Sequence, residues 1–177
     1  MIRIVPIADV AAADIDQLLD DAFGTDRHGR TAYKLRAGMT QIAGLSFAAV
    51  RDGELIGSIQ SWPIQLRQEN GEVTPLILVG PVAVRPDHQR DGIGRMLTIA
   101  MLNAADARRS EPLTLIGDPE YYDRFFGFKA EPTAGWQVPG PVERRRLLAR
   151  LRAGQTVPSD GRLEPRHMAV ALEQAPQ

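Results

Sequence analysis

Apolar and polar residues alternate with two different periods along this chain, and the places where the period changes divide it into elements. Ile2, Ile4 and Ile7, with Val5 and Pro6 between them, read as a first strand. Asp9 then offers an N-cap for a helix whose Ile15, Leu18, Leu19, Ala22 and Phe23 recur at spacings of three and four. Gly24 ends that helix, and Asp14, Asp16, Asp20 and Asp21 form its solvated face. A polar stretch from Thr25 to Thr31, containing His28, leads to a second short helix through Ala32, Tyr33, Leu35 and Arg36. This loop and helix either cover a substrate pocket or form ordinary surface.

From Ser46 the period becomes two. Ser46 to Val50, the turn Arg51-Asp52-Gly53-Glu54 and Leu55 to Leu66 make a hairpin, Asp-Gly being a strong turn dipeptide. A second turn at Glu69 to Glu72 returns the chain into an apolar strand (Leu76 to Val79, then Val82 to Val84) that breaks at Arg85-Pro86. These strands form an antiparallel meander. Pro81 cannot donate a ladder hydrogen bond, so it marks an edge, a bulge or a point where the strand parts from its neighbour. Next comes a polar turn with two glycines, Gly92 and Gly94, opening onto a helix that carries Ile93, Met96, Leu97, Ile99, Ala100, Leu102 and Ala104. Leu113 to Ile116 is a brief buried strand, parallel to the previous one because a helix joins them. Gly117-Asp118-Pro119-Glu120 starts a further helix with Tyr121, Tyr122, Phe125 and Phe126, which Gly127 stops before Phe128 begins a return strand.

The strand, glycine turn and helix around Pro81 to Met96 carry the first chemical signal. Unpaired backbone N–H groups converge at the start of a helix, where the dipole also favours an anion such as a pyrophosphate. Composition narrows what surrounds that anion. At 177 residues the chain suits one domain with an appendage. A net charge of -1 and a pI near 6.3 give no global positive field for nucleic acid or an acidic membrane. The absence of cysteine excludes disulfides, thiolate metal sites and a cysteine nucleophile. No apolar run reaches a membrane span's length and no leader pattern opens the chain, so it reads as soluble, unprocessed and cytoplasmic. No internal repeat is present.

The element order, the Q-x-x-G-x-G turn (Gln89, Gly92, Gly94) and the downstream Y-Y-D-R-F-F-G-F together resemble the GNAT N-acetyltransferase superfamily over about residues 1 to 135. The segments A-F-G (Ala22 to Gly24), R-T-A-Y (Arg30 to Tyr33) and G-D-P-E-Y-Y (Gly117 to Tyr122) are similar to its bacterial branch typified by YhbS. A lone G-x-G is weak evidence, and here a preceding strand, a following helix and the second motif accompany it. A dinucleotide-binding fold would place the glycine turn after the first strand of a parallel sheet, not after the fourth strand of a meander.

The resemblance implies an α/β (α+β) GNAT fold with a mixed, mostly antiparallel sheet of six to seven strands. Strands four and five are splayed, and helices flank the sheet. It implies a GNAT domain over residues 1–152 and a C-terminal extension over 153–177 that packs on the domain or on a partner subunit. Acetyl-CoA is the implied co-substrate, with no metal. Its pantetheine arm maps to Val82, Ala83 and Val84, and its pyrophosphate to the amides of Arg90, Asp91, Gly92, Ile93, Gly94 and Arg95. Gln89 stabilises the loop, Arg90 and Arg95 either add charge or face water, and the Asp91 carboxylate must point outward. Glycine is required at 92 and 94 because a Cβ would hold the phosphate away.

The implied reaction is direct transfer of acetyl to a primary amine of a small molecule or protein. A non-catalytic acyl-CoA-binding module or sensor is the alternative. The family's thiolate acid, a tyrosine on the helix after strand five, maps to Tyr122, with Tyr121 second. The commoner pattern steps four residues from that tyrosine to the glycine, whereas Tyr122 to Gly127 is five. One extra residue turns a helix by about 100°, which leaves open which phenol faces the sulfur. No base stands out among Asp118, Glu120, Glu54 and His28, His88 and His167 are not placed to act, and water is an alternative route for the proton. A backbone N–H near Val82 is the candidate oxyanion donor. The acceptor side draws on Asp26 to Gly38, on Gln60 and Trp62, and on the tail. The chain is expected as monomer or homodimer.

In the tail, Trp136 and Val138 continue a sixth strand that Pro139-Gly140-Pro141 breaks. Glu143 to Arg152, with five arginines, suits a helix or a strand, and the GNAT order selects a strand at Leu147 to Leu151. Its arginines read as a solvated face, Thr156 to Pro165 as loop, and Met168 to Leu172 as a terminal element.

Overall fold

The computed structural model describes residues 1–166. The elements follow the expected order: β1 (Ile2–Pro6), α1 (Ala12–Phe23), α2 (Thr31–Leu35), β2 (Phe47–Arg51), β3 (Glu54–Arg67), β4 (Val73–Val84), α3 (Ile93–Ala107), β5 (Leu113–Ile116), α4 (Pro119–Phe126), β6 (Gly135–Gln137), β7 (Leu147–Arg150) and β8 (Asp160–Pro165). They form a sheet in the order β1-β2-β3-β4-β5-β7, with β8 paired to β3 and β6. β1, β2 and β3 are antiparallel neighbours, and Asp52 (φ 52°) and Gly53 (φ 79°) make the left-handed turn the Asp-Gly pair foretold. β5 runs parallel to β4, as its helical connection required, and antiparallel to β7.

The chain condenses into two units through which β3 and β4 both run. Among the described residues, one comprises Met1–His28, Gln41–Ser61 and Val79–Ser110, and the other Gly29–Thr40, Trp62–Leu78 and residues 111–166. In the first, Ile7, Ile15, Leu18 and Leu19 pack with Ala83 of β4. The opposite face of β3 receives α3: a Cβ on Gly57 would lie 2.8 Å from Ile93 Cγ2 and 3.1 Å from Leu97 Cδ1, so the glycine lets the helix sit directly on the strand. In the second, Leu35, Ile64, Leu66, Leu76, Leu78, Trp136, Leu147, Ala149 and Leu163 form one apolar cluster. Each fully buried aliphatic side chain there stabilises the fold by about 1.5–3 kcal/mol before entropy is counted.

Four local expectations change, the first being the return strand at Phe128, where, among the described residues, only an isolated Lys129–Ala149 bridge forms. Asp9 does not cap α1. Val10 N donates to Ile7 O at 3.1 Å, which closes a 3-10 turn, and the helix begins after Ala11 with no side-chain cap. Asp20 does not simply face water, whereas Asp16 stays largely exposed. Buried Arg27, from the loop after α1, sets Nε 3.0 Å from Asp20 and Nη2 3.7 Å from Asp16. Thr156 to Pro165 is not all loop, since Asp160–Pro165 is an eighth strand. Its single aliphatic residue, Leu163, hides the strand in the sequence, and pairing with both β3 and β6 creates it. The strand at Leu147 to Leu151 is present as β7, and the expected element at Met168 to Leu172, like His167, lies outside the described residues. No helix among the described residues is long and apolar enough to cross a membrane.

Candidate active site

In the first unit the end of β4 is fixed by Arg85 N, which donates to Ile56 O at 2.9 Å. A 3-10 turn over Pro86–His88 follows, and Asp91 N donates to His88 O at 3.1 Å. Gly92 then takes φ 74°, ψ 17° and caps α3, a left-handed conformation that favours glycine. Ile93, 1% exposed, anchors the helix start in the core. The first intrahelical bond is Met96 N to Gly92 O, so the amides of Gly92, Ile93 and Gly94 have no acceptor within the helix. The dipole of a fifteen-residue helix adds roughly half a positive charge at this point.

The two glycines do different things. Gly92 is required by its backbone angle and has nothing within 4 Å of a Cβ position. Gly94 has an ordinary helical angle, and its Cβ would meet only Val82 Cγ1 and Val84 Cγ2, each at 3.8 Å. The protein's own packing therefore leaves Gly94 open beside β4, a cradle that a side chain would narrow. The β4–β5 ladder pairs Ile77 with Leu113 and Leu78 with Thr114. No further pair is recorded among the described residues, which leaves Val82, Ala83 and Val84 outside that ladder. The Gly80–Pro81 peptide is cis.

The Asp91 carboxylate has partners that were not foreseen. Asp91 Oδ2 accepts from His88 Nδ1 at 3.0 Å and lies 3.9 Å from Arg51 Nη1 on β2. The loop is thus tied through Asp91, and Gln89 is exposed. The His88-x-x-Asp91 spacing across a turn was the signal that would have found this contact. Asp91 N–H is committed within the loop, and Arg90 and Arg95 are exposed.

In the second unit Asp118 caps α4 by accepting from Glu120 N at 3.1 Å, and Gly127 (φ 75°) ends the helix. The Tyr122 ring lies on Gly117, where a Cβ would be 2.7 Å from Cε2 and 2.9 Å from Cδ2. It stands edge-on to Tyr121 (centroids 4.9 Å apart) and to Phe128 (6.1 Å). Burial first, then the neighbouring Tyr121 and Asp118, push the Tyr122 phenol up to about 12. Tyr121 instead packs on Phe125 and Phe126, at 5.4 and 5.6 Å.

The candidate bases are occupied in other roles. Glu54 binds Arg85 Nη1 at 2.8 Å, and Glu120 is ion-paired with Arg145. The contact between the Asp118 and Glu120 side chains raises Asp118 and lowers Glu120 from their ordinary values. His28 is exposed in the turn after α1. Among the described residues no group of three or more His, Cys, Asp or Glu side chains is placed to hold a metal ion.

A mixed, mostly antiparallel sheet in which β5 runs parallel to β4, and a glycine loop running from β4 into a helix, are the features of the GNAT acetyltransferase class. Residues 3–130 match the family model described as acetyltransferase (GNAT) domain, and the chain belongs to that family. Within it the chain is similar to the GNAT family N-acetyltransferase YhbS of Escherichia coli, solved in complex with CoA. The two share 25% identity over 96% of this chain and 91% of that one, with a TM-score of 0.68. It is similar too to a GNAT family acetyltransferase of Brucella melitensis in complex with acetyl-CoA, at 25% identity over 93% and 95% of the two chains and a TM-score of 0.64. A likeness to Naa50 of Arabidopsis thaliana, at 14% identity and a TM-score of 0.51, concerns the fold alone. A search of curated protein sequences finds no match.

Proposed function

We propose that this chain is an acetyl-CoA-dependent N-acetyltransferase that moves acetyl to a primary amine of a small molecule or protein, by direct transfer in a ternary complex. The observation that carries the reading is the open space at Gly94 beside Val82 and Val84, two residues after the left-handed Gly92, in a chain whose similar structures hold CoA or acetyl-CoA. Acetyl-CoA, when bound, supplies an activated acetyl thioester. Val82, Ala83 and Val84 offer backbone groups for its pantetheine arm. The amides of Arg90, Gly92, Ile93, Gly94 and Arg95 hold its pyrophosphate, with Asp91 and Gln89 shaping the loop.

Tyr122 is the proposed acid for the departing sulfur and Tyr121 the second candidate. A phenol pushed up to about 12 stays protonated throughout the neutral range, so it always has a hydrogen to donate. With Glu54, Asp118 and Glu120 engaged, the amine's proton leaves through water. Residues 1–152 carry the reaction, and 153–177 form an extension joined through β8. The proposed setting is the cytoplasm, as monomer or homodimer.

The test is calorimetric binding of CoA, together with CoA release from acetyl-CoA in the presence of an amine panel. Tight binding with turnover on at least one amine is expected. Binding with no turnover on any amine would leave an acyl-CoA sensor.

A further inference from the structure

The turn between β4 and α3 carries charges in an ordered chain of contacts. Arg85 sets Nη1 2.8 Å from Glu54 Oε1 at the start of β3 and Nε 3.4 Å from Asp87 Oδ1. Asp87 Oδ2 lies 3.8 Å from His88 Nε2, and His88 Nδ1 lies 3.0 Å from Asp91 Oδ2. That same Asp91 oxygen is 3.9 Å from Arg51 Nη1 at the end of β2. Arg51 and Glu54 are themselves partners across the β2–β3 hairpin. The contacts therefore close a ring, which fastens the loop to the hairpin at two points.

His88 is the link whose contacts are not both attractive. An ionised carboxylate only accepts, so the hydrogen in the contact with Asp91 sits on Nδ1. In the neutral imidazole Nε2 then carries a lone pair and faces another acceptor, Asp87 Oδ2. A proton on Nε2 turns that contact into an attraction. It also balances the ring: the two guanidinium groups of Arg51 and Arg85 stand against the three carboxylates of Glu54, Asp87 and Asp91, and an imidazolium makes the charges equal. Asp21 of α1 adds negative charge on the Arg85 side, and Arg90 and Arg95 are exposed on the loop. The ring adjoins the proposed anion site. Asp91 N donates to His88 O at 3.1 Å, and the next residue is Gly92, the N-cap of α3.

On the acetyl-CoA reading above, we propose that His88 is a proton-linked positioning residue of the pyrophosphate loop: CoA binding draws a proton from solvent onto Nε2, which completes the ring and offsets the Asp91 carboxylate beside the incoming phosphates. The protonated form binds the polyanion more tightly, so affinity rises as pH falls and a proton is taken up on binding. An exposed charge pair of this kind changes affinity by about two- to fivefold. That coupling corresponds to a maximal uptake of about 0.2–0.4 proton per CoA, within the range of about pH 5 to 8 where imidazole changes charge.

Calorimetric titration of the full chain with CoA at pH 6 and pH 8, and at pH 7 in two buffers of different ionisation enthalpy, reads affinity and proton uptake together. The 3′-phosphomonoester of CoA titrates near about pH 6 as well, so each quantity is taken as the difference between parent and variant. His88→Asn places an amide N–H where Nδ1–H stands and removes the titration. It should match the parent at pH 8, and lack both the two- to fivefold gain at pH 6 and the proton uptake. His88→Ala should bind CoA about two- to fivefold more weakly than the parent at both values. Equal pH dependence and proton uptake in parent and His88→Asn would overturn the proposal, as would parent-like affinity in His88→Ala. Thermal melts without CoA check folding. If neither variant folds, Asp87→Asn, at a side chain 63% exposed, decides by the same readouts: a smaller uptake supports the linkage and an unchanged uptake overturns it. A parent that binds no CoA at either pH defeats the acetyl-CoA reading and this inference with it, whereas a parent that binds CoA with no difference from His88→Asn defeats this inference alone.

Discussion

Gly94→Ala separates what the fold needs at the glycine loop from what a ligand needs there. The added Cβ would sit 3.8 Å from Val82 Cγ1 and from Val84 Cγ2, ordinary contact with no clash. The residue lies in the first turn of α3 at an unstrained angle. Alanine restricts the unfolded chain and suits a helix better than glycine, so the substitution should stabilise the free protein by about 0.4–1 kcal/mol. In a chain of this length that raises the melting temperature by about 1–4 °C. The same methyl group narrows the space between the helix start and β4, holding an anion off the amides. Losing one charge-assisted hydrogen bond costs about 1.5–3 kcal/mol, or roughly 10- to 150-fold in affinity for CoA. Thermal melts of the free protein and calorimetric titration with CoA read the two effects separately. A variant that melts no lower than the parent and binds CoA equally well would remove the loop from the cofactor site. A variant that melts well below the parent would show that the glycine serves packing. Gly92→Ala is the less clean comparison, because at φ 74° it should lose stability and affinity together.

Other outcomes follow from the loop and from α4. Arg51→Gln loosens the tether on Asp91 and lets its carboxylate turn toward the amides, so CoA affinity should fall several-fold and Asp91→Asn in the same chain should restore it. Failure of that rescue in titrations at low salt would mean that Arg51 acts otherwise. Tyr122→Phe should lower kcat by about 10²-fold or more at an unchanged KM for acetyl-CoA, and equal activity in both the Tyr122 and Tyr121 variants would exclude phenol catalysis. The Tyr122 phenol titrates near 10 unfolded and about 12 folded, so its contribution is complete below pH 10 and is lost as pH climbs toward 12. Two units correspond to about 2–3 kcal/mol, and chemical denaturation across that range should be shallower in Tyr122→Phe than in the parent. Gly117→Ala places a methyl group 2.7 Å from Tyr122 Cε2 and must displace the ring. It should therefore reduce kcat while CoA binding by calorimetry stays as in the parent.

What was legible in the sequence is what local pattern and turn chemistry encode. The spacing of Ile15, Leu18 and Leu19 defined α1, Asp52-Gly53 defined the hairpin, and Gly92-x-Gly94 after an apolar strand defined the loop. Contacts between segments distant in sequence were not legible. β8 has one aliphatic residue, and Gly135 and Gly161 matter there because neighbouring chain passes where a Cβ would stand: Ser159 O lies 2.3 Å from that position on Gly135, and Leu66 Cγ 2.8 Å from that on Gly161. Arg27, an unremarked residue of a polar loop, is buried because Asp16 and Asp20 meet it from the preceding helix. The site divides in the same way. Its donor side is written in glycines and a strand, features with a fixed spacing. Which polar atoms of β3 find partners is not written that way, and no spacing rule distinguishes Ser58 from the fully bonded Ser61 three residues later. That distinction arises from alternation along β3 and from Leu45 and Ser46 lying within reach of one face only. Side-chain satisfaction along β3 is therefore a property of tertiary pairing, whereas the glycine loop is a property of local pattern.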